Sequence, residues 1–265
     1  MNTVTSRDGT KIAFDKAGQG PAVIVVDGAL CYRANGPSAP LARLLERHFT
    51  VYTYDRRGRG DSGDTAPYAV EREVEDFAAL LAEAGGAAFV YGISSGAALA
   101  LEAANRLPGI TKLALYEAPF IIDDSRPPVP QDSLAQIKAI IAADRRSDAV
   151  RYFMKQVGAS GVIVALMRFM PVWSKLKVVA HTIPYDFTIL DGRQAGKPLP
   201  TGRWAAVTTP TLVMDGGKSD PWIRHATASL AQILPNAQYR TLPGQTHMLK
   251  PEALAPVLVE FFADC

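Results

Sequence analysis

The sequence predicts an α/β fold: a mainly parallel, eight-stranded sheet flanked by helices and interrupted by an inserted helical cap. Three observations predict it. Short β-branched runs such as Ala22-Val23-Ile24-Val25-Val26 suit strands that are buried on both faces of a parallel sheet. These runs alternate with amphipathic helical stretches, the order that parallel strands joined by crossovers produce. Between residues 120 and 205 the alternation stops. Helical patterns continue there without a convincing strand, punctuated by Pro127, Pro128, Pro130, Pro171, Pro184, Pro198 and Pro200. The expected organisation is a core domain of residues 1–119 and 206–265, with a cap of residues 120–205.

The elements follow in order. Residues 3–6 and 11–17 flank Arg7-Asp8-Gly9-Thr10, where Asp-Gly favours a hairpin turn. Residues 22–26 form the third strand and end at Asp27-Gly28. Residues 40–48 carry Leu41, Leu44 and Leu45 on one helical face, and 49–54 form a strand that leads into Asp55-Arg56-Arg57-Gly58-Arg59-Gly60-Asp61-Ser62. In residues 70–84, Val74, Phe77, Leu80, Leu81 and Ala84 recur at helical spacing until Gly85-Gly86 ends the helix. Strand 87–91, helix 95–107 and strand 112–116 come next. The cap shows helical patterns at 134–143, 148–157, 162–170 and 172–180. Strand 211–214, helix 221–234, strand 238–242 and helix 252–262 complete the chain.

Composition narrows the function. At 48% hydrophobic and 20% charged residues, the chain has the make-up of an ordinary globular protein rather than a disordered one. Lys plus Arg number 28 against 26 Asp plus Glu, and the two signs are interspersed, so no strong field is available to hold a polyanion and nucleic-acid binding is disfavoured. Cys31 and Cys265 make neither a disulfide framework nor a zinc-ligand pattern. The polar start lacks the apolar stretch of a secretory signal, and no run approaches the roughly 18 apolar residues of a membrane span. The expectation is a cytoplasmic monomer or homodimer that acts on a small molecule, without membrane or nucleic-acid partners.

The sharpest motif is Gly92-Ile93-Ser94-Ser95-Gly96, at the junction of a strand and a helix. A tight strand-to-helix turn needs small residues on either side, and it lifts its central side chain to a helix N-terminus. Ser94 is therefore the candidate nucleophile. A serine needs a base, and His247 lies in the loop Pro243-Gly244-Gln245-Thr246-His247-Met248 after the last strand, at the sheet end where active sites collect. His48 and His225 fall on amphipathic helices and read as surface residues; His181, after a cap helix, reads as packing or hydrogen bonding. Asp220, after strand 211–214, is favoured as the carboxylate that orients the base, and it also suits the N-cap of the next helix. The order Ser94, Asp220, His247 is the one a nucleophile elbow requires.

These motifs resemble those of the α/β-hydrolase superfamily over nearly the whole chain. Residues 55–62 resemble its turn after the fourth strand, 92–96 its elbow, 216–220 its acid loop and 244–247 its histidine loop. The resemblance implies an oxyanion hole formed by the N–H groups of Ala29 and Ser95. Where many relatives carry His-Gly, this chain has Asp27-Gly28, and Asp27 is expected to point away and cap local backbone. Glu117, just past the sixth strand, is the alternative acid. The zearalenone-type lactone hydrolases place theirs there, and they share the Asp-Gly and the Ser-Ser-Gly elbow. Arg56, Arg57 and Arg59 are expected to be solvated or structural.

The expected function is hydrolysis of a small, hydrophobic carboxylic ester or lactone through an acyl-enzyme on Ser94, with no cofactor and no metal. Leu30, Phe120, Phe153, Met154, Trp173 and Met248 are the expected substrate contacts. Perhydrolase or C–C hydrolase chemistry on the same triad, and a slow-turnover ligand receptor of the same fold, are the alternatives.

Overall fold

A computed structural model of the chain describes residues 1–263; Cys265 lies outside the described residues. One sheet of eight strands forms its centre: β1 (Asn2–Thr5), β2 (Lys11–Ala17), β3 (Ala22–Val26), β4 (Thr50–Tyr54), β5 (Ala88–Ile93), β6 (Ile110–Tyr116), β7 (Thr211–Gly216) and β8 (Ala237–Leu242). Their order is β1-β2-β4-β3-β5-β6-β7-β8. β1 and β2 pair antiparallel, as do β2 and β4, and every other pairing is parallel.

Successive side chains of a strand point to opposite faces, so a strand buried on both must be apolar throughout. β3 obeys this. Ile24 and Val26 enter one core, with Phe77, Leu80 and Leu230 from helices α2 (Val70–Glu83) and α9 (Pro221–Ile233) and with the alanines of α3 (Ser95–Ala104). Val23 and Val25 enter the other, with Leu41 and Leu45 of α1 (Ser38–Leu45) and Leu258 and Phe262 of α10 (Pro251–Ala263). Between β6 and β7 runs a helical insert: α4 (Ser133–Ala142), α5 (Arg146–Gln156), α6 (Gly161–Met167), α7 (Pro171–Val178) and α8 (Ile183–Leu190). α8 has no counterpart among the expected helices, because Pro184 reads as a breaker yet occupies the first turn, where a missing N–H costs nothing.

The three arginines after β4 are not solvated. Arg56, Arg57 and Arg59 are at most 2% exposed. Arg56 grips Glu73 of α2 through two 2.7 Å hydrogen bonds and Asp186 of α8 through a third. Arg57 grips Asp76 in the same bidentate way at 2.6 and 2.8 Å. Arg59 donates to the second oxygen of Asp186 at 2.7 Å. Burial opposes ionisation of Glu73 and Asp186, but the Arg56 and Arg59 guanidiniums hold both below the usual carboxylate range. The insert is thus tied to the core by charges that lie out of water. Tyr68 adds a further tie by stacking on Tyr185 of α8, ring centres 3.9 Å apart.

The elbow needs its glycines because two backbones meet there. A Cβ on Gly96 would stand 2.4 Å from the carbonyl oxygen of Val26 and 2.6 Å from that of Asp27. One on Gly92 would stand 2.6 Å from the carbonyl oxygen of Gly96. We therefore expect Gly96→Ala to lower the unfolding free energy by about 2 kcal/mol or more, as overpacked sites do. Urea denaturation against wild type measures this, and an unchanged midpoint would contradict the packing described.

Candidate active site

Three neighbouring strands end in strained backbone. Leu30 beyond β3, Ser94 at the end of β5 and Glu117 at the end of β6 have φ of 62°, 58° and 47°. Non-glycine residues adopt such angles only where surrounding structure holds them there. At Ser94 the N–H donates to the carbonyl of Tyr116 at 2.9 Å, while its own carbonyl accepts from Ala97 as the first bond of α3. The hydroxyl is left at the wall of a cavity of about 330 Å³, which Ala29, Ser95 and His247 also line. Gly28 makes room for it: a Cβ there would lie 3.0 Å from the Ser94 Cβ and 3.5 Å from its Oγ.

His247 Nδ1 lies 2.7 Å from Oε2 of Glu117, whose side chain is fully buried. Oε1 of the same carboxylate accepts the Gly216 N–H at 2.7 Å. A carboxylate only accepts, so Nδ1 carries the proton, and in the neutral ring Nε2 is the nitrogen with the lone pair. The histidine loop is held from two sides. The Tyr116 hydroxyl donates to the Thr246 carbonyl at 2.7 Å, and the Lys218 N–H to the Gln245 carbonyl at 2.8 Å.

The pairing expected for Asp220 is therefore made by Glu117. Asp220 is the N-terminal flanking residue of α9 and lines the cavity wall, beyond the turn that hands Gly216 N–H to Glu117. Of the six expected substrate contacts, Phe153 and Met248 line the cavity. Leu30, Trp173 and Met154 pack instead into the insert's own apolar cluster, and Phe120 stacks on Trp204 with centroids 5.8 Å apart. Arg126, Gln156, Phe187, Trp222 and Ile223 line the cavity without having been expected. Trp222 had a usable signal, since it follows directly on the acid loop. Elsewhere, His181 Nε2 stands 4.0 Å from Asp64, and His225 Nδ1 lies 2.8 Å from Asp123.

Arg59 acts on the same site from behind. Its Nη1 donates to the carbonyl oxygen of Gly28 at 2.7 Å. That oxygen and the Ala29 N–H are the two ends of one trans peptide unit, so fixing one fixes the direction of the other. A cation on the oxygen also polarises the N–H. Ser95 is held in parallel, its hydroxyl donating to Asp186 Oδ1 at 2.8 Å.

Comparison with known proteins gives the family and the fold. Residues 20–257 match the model of the alpha/beta hydrolase family, and the chain belongs to that family. It is 55% identical to an alpha/beta hydrolase from Sphaerobacter thermophilus DSM 20745, with 99% of this chain and all of that one covered and a TM-score of 0.91. The enol-lactonase from Burkholderia xenovorans LB400 shares the fold at 21% identity and TM-score 0.68, covering 99% and 100% of the two chains. Against the uncharacterized hydrolase YraK of Bacillus subtilis (strain 168), the chain is 31% identical over 122 residues. That stretch is 43% of each protein, so the match spans less than half of that curated relative. No helix among the described residues is long and apolar enough to cross a membrane.

Asp27 turns away from the Ser94 cavity into a narrow space beside Ser38 and Leu41. Burial pushes its pKa from 3.8 up to about 6, against the pull of Ser38, Arg59 and Arg56. An acid whose folded pKa is raised contributes stability that is complete below its unfolded pKa and is lost as pH rises through the folded one. The window here runs from about pH 4 to about pH 6. We expect Asp27→Asn to gain stability over wild type by about 2–3 kcal/mol across that window. Urea denaturation at pH 4 and pH 7 measures it; a difference that does not change with pH would contradict a buried, titrating Asp27.

Proposed function

We propose that the chain is a serine hydrolase that cleaves a small, largely hydrophobic carboxylic ester or lactone. The observation that carries this reading is the Glu117–His247 pair, whose histidine lines the same cavity as a serine on strained backbone. Ser94 Oγ attacks the carbonyl carbon as His247 Nε2 takes its proton, and the carbonyl π pair moves onto oxygen. The Ala29 and Ser95 N–H groups hold that oxyanion. Collapse expels the alkoxide, which takes the proton from His247, and leaves an acyl group on Ser94. Water, deprotonated by the same imidazole, then releases the acid and restores Ser94. Glu117 fixes the tautomer and steadies the imidazolium. In a lactone the alkoxide and acid stay in one molecule.

Esters suit the cavity because it is small and mostly apolar, as sites for small organic ligands are. Two structural neighbours, an enol-lactonase and a thermophilic esterase from Thermogutta terrifontis, act within the same class. A receptor that signals by moving its cap fits less well, because the insert's α8 is tied down by buried ion pairs.

The test is intact mass after treatment with a fluorophosphonate, followed by turnover of p-nitrophenyl butyrate. Wild type should gain one adduct and Ser94→Ala none; an adduct retained on Ser94→Ala would move the nucleophile elsewhere. Glu117→Gln should lower kcat by about 10³–10⁴-fold, as loss of a triad acid does, and by at least about 100 times more than Asp220→Asn. The reverse ranking would restore Asp220 as the acid. Asp186→Asn should loosen both oxyanion donors and lower kcat about 10- to 100-fold with KM nearly unchanged. A loss confined to KM would show that Asp186 shapes the cavity rather than the oxyanion hole.

A further inference from the structure

The cavity holds a cation for which the reaction proposed above has no task. Arg126, in the segment between β6 and α4, lines the wall. Its guanidinium carbon lies 4.3 Å from the centre of the Trp222 ring, and Nη2 donates to the carbonyl of Gln156 at the end of α5. Gly158, at φ 88°, brings bare backbone alongside: a Cβ there would stand 3.6 Å from Nη2 and 3.8 Å from Nη1. The guanidinium is therefore oriented by a ring face and a carbonyl, neither of which neutralises it.

Charge accounting around the cavity leaves a surplus. Besides His247, the charged residues on its wall are Arg126, Lys218, Asp186 and Asp220. Asp186 is already committed, one oxygen to Arg56 and Ser95 and the other to Arg59. Two cations then face one carboxylate. Among the described residues no carboxylate is within ion-pair distance of Arg126, and Asp220 acts on it only from further away. Burial pulls the arginine below its ordinary pKa, with Asp220 only partly opposing, so a counter-anion would relieve a real desolvation cost. The rest of the enclosure is largely apolar: Pro119, Val129, Phe187, Leu190 and Ile223. A planar guanidinium with free N–H groups in such a wall matches a carboxylate in shape and charge. A single surplus charge suits a monoanion better than a phosphate dianion.

We infer that Arg126 forms a carboxylate-binding subsite, so that the preferred ester or lactone carries a carboxylate remote from its scissile bond. This rests on the ester-hydrolase reading of the same cavity. Trp222 and Phe187 contact the chain between the two ends, and the length of that chain sets the fit.

The experiment compares monoethyl esters of straight-chain diacids, from succinate to suberate, with neutral isosteres in which isopropyl replaces the carboxylate. Proton release is followed for wild type, Arg126→Gln and Arg126→Lys. At the matching chain length, wild type should favour the anionic ester about tenfold or more in kcat/KM, the effect of one charge-assisted contact. In Arg126→Gln that ratio should fall to about one, mainly through KM, while Arg126→Lys keeps part of it. A ratio near one in wild type at every length, or a ratio that Arg126→Gln leaves intact, would overturn the subsite. Loss of both substrates alike would do so too, since it marks a structural role. Should wild type hydrolyse no ester and take up no fluorophosphonate, the hydrolase reading fails by itself. Calorimetric titration with adipate then decides the subsite: binding to wild type that Arg126→Gln loses supports it, and no binding to either overturns it.

Discussion

Asp186 is the constraint on which the rest of the molecule rests. Its carboxylate is buried where the helical insert meets the sheet, and each oxygen is claimed by groups that belong to the core. Burying a carboxylate is unfavourable unless its partners are in place, and removing one partner leaves the others stranded. The arrangement therefore exists whole or not at all. When it is whole, Arg56 is fixed between Asp186 and Glu73, and Arg59 is free to present Nη1 to the Gly28 carbonyl. One side chain of the insert thus sets the position of the loop after β3 and of the first residue of α3. Those are the two pieces of backbone that flank Ser94.

Strain and rigidity meet at the same edge of the sheet. Leu30, Ser94 and Glu117 occupy the left-handed region beyond the ends of β3, β5 and β6, Ser94 and Glu117 each following directly on the paired residues Ile93 and Tyr116. Conformations of this kind cost about 1–3 kcal/mol each and persist only where neighbours over-determine them. Leu30 is held by the insert's apolar cluster, and Ser94 by the start of α3 and the Tyr116 carbonyl. Glu117 is held by its bonds to Gly216 and His247. Each strained residue is fastened by a different part of the chain, which is why the alignment survives as a unit.

Much of this was legible beforehand. Strands buried on both faces announce themselves by unbroken β-branched runs, as β3 does, and the elbow announces itself by glycines on both sides of a serine. What could not be read locally was which of two carboxylates meets His247. Glu117 and Asp220 both follow parallel strands, and the choice depends on the Gly216 N–H, which is donated to Glu117 across 99 positions of sequence. The burial of the arginines has its own signal in α2. Glu73 and Asp76 lie on the same stripe of α2 as Phe77 and Leu80, and acids on a buried stripe require buried cations. Their third partner, Asp186, lies 130 positions from Arg56, on a helix hidden by its own proline.

The insert is fastened unevenly, and that unevenness divides the cavity wall into two materials. α8 supplies Phe187 and Leu190 to the wall from a helix tied to the sheet by ions, a tyrosine stack and apolar burial. α5 supplies Phe153 and Gln156 from a helix whose buried residues face the insert's own small cluster. α6, beside it, leaves Val162 71% exposed. Changes of sequence on α5 alter the shape of the cavity at little cost to the elbow, whereas changes on α8 reach the backbone around Ser94. One face of the cavity, on α5, is in this way free to drift, while the other, on α8, cannot change without disturbing the backbone around Ser94.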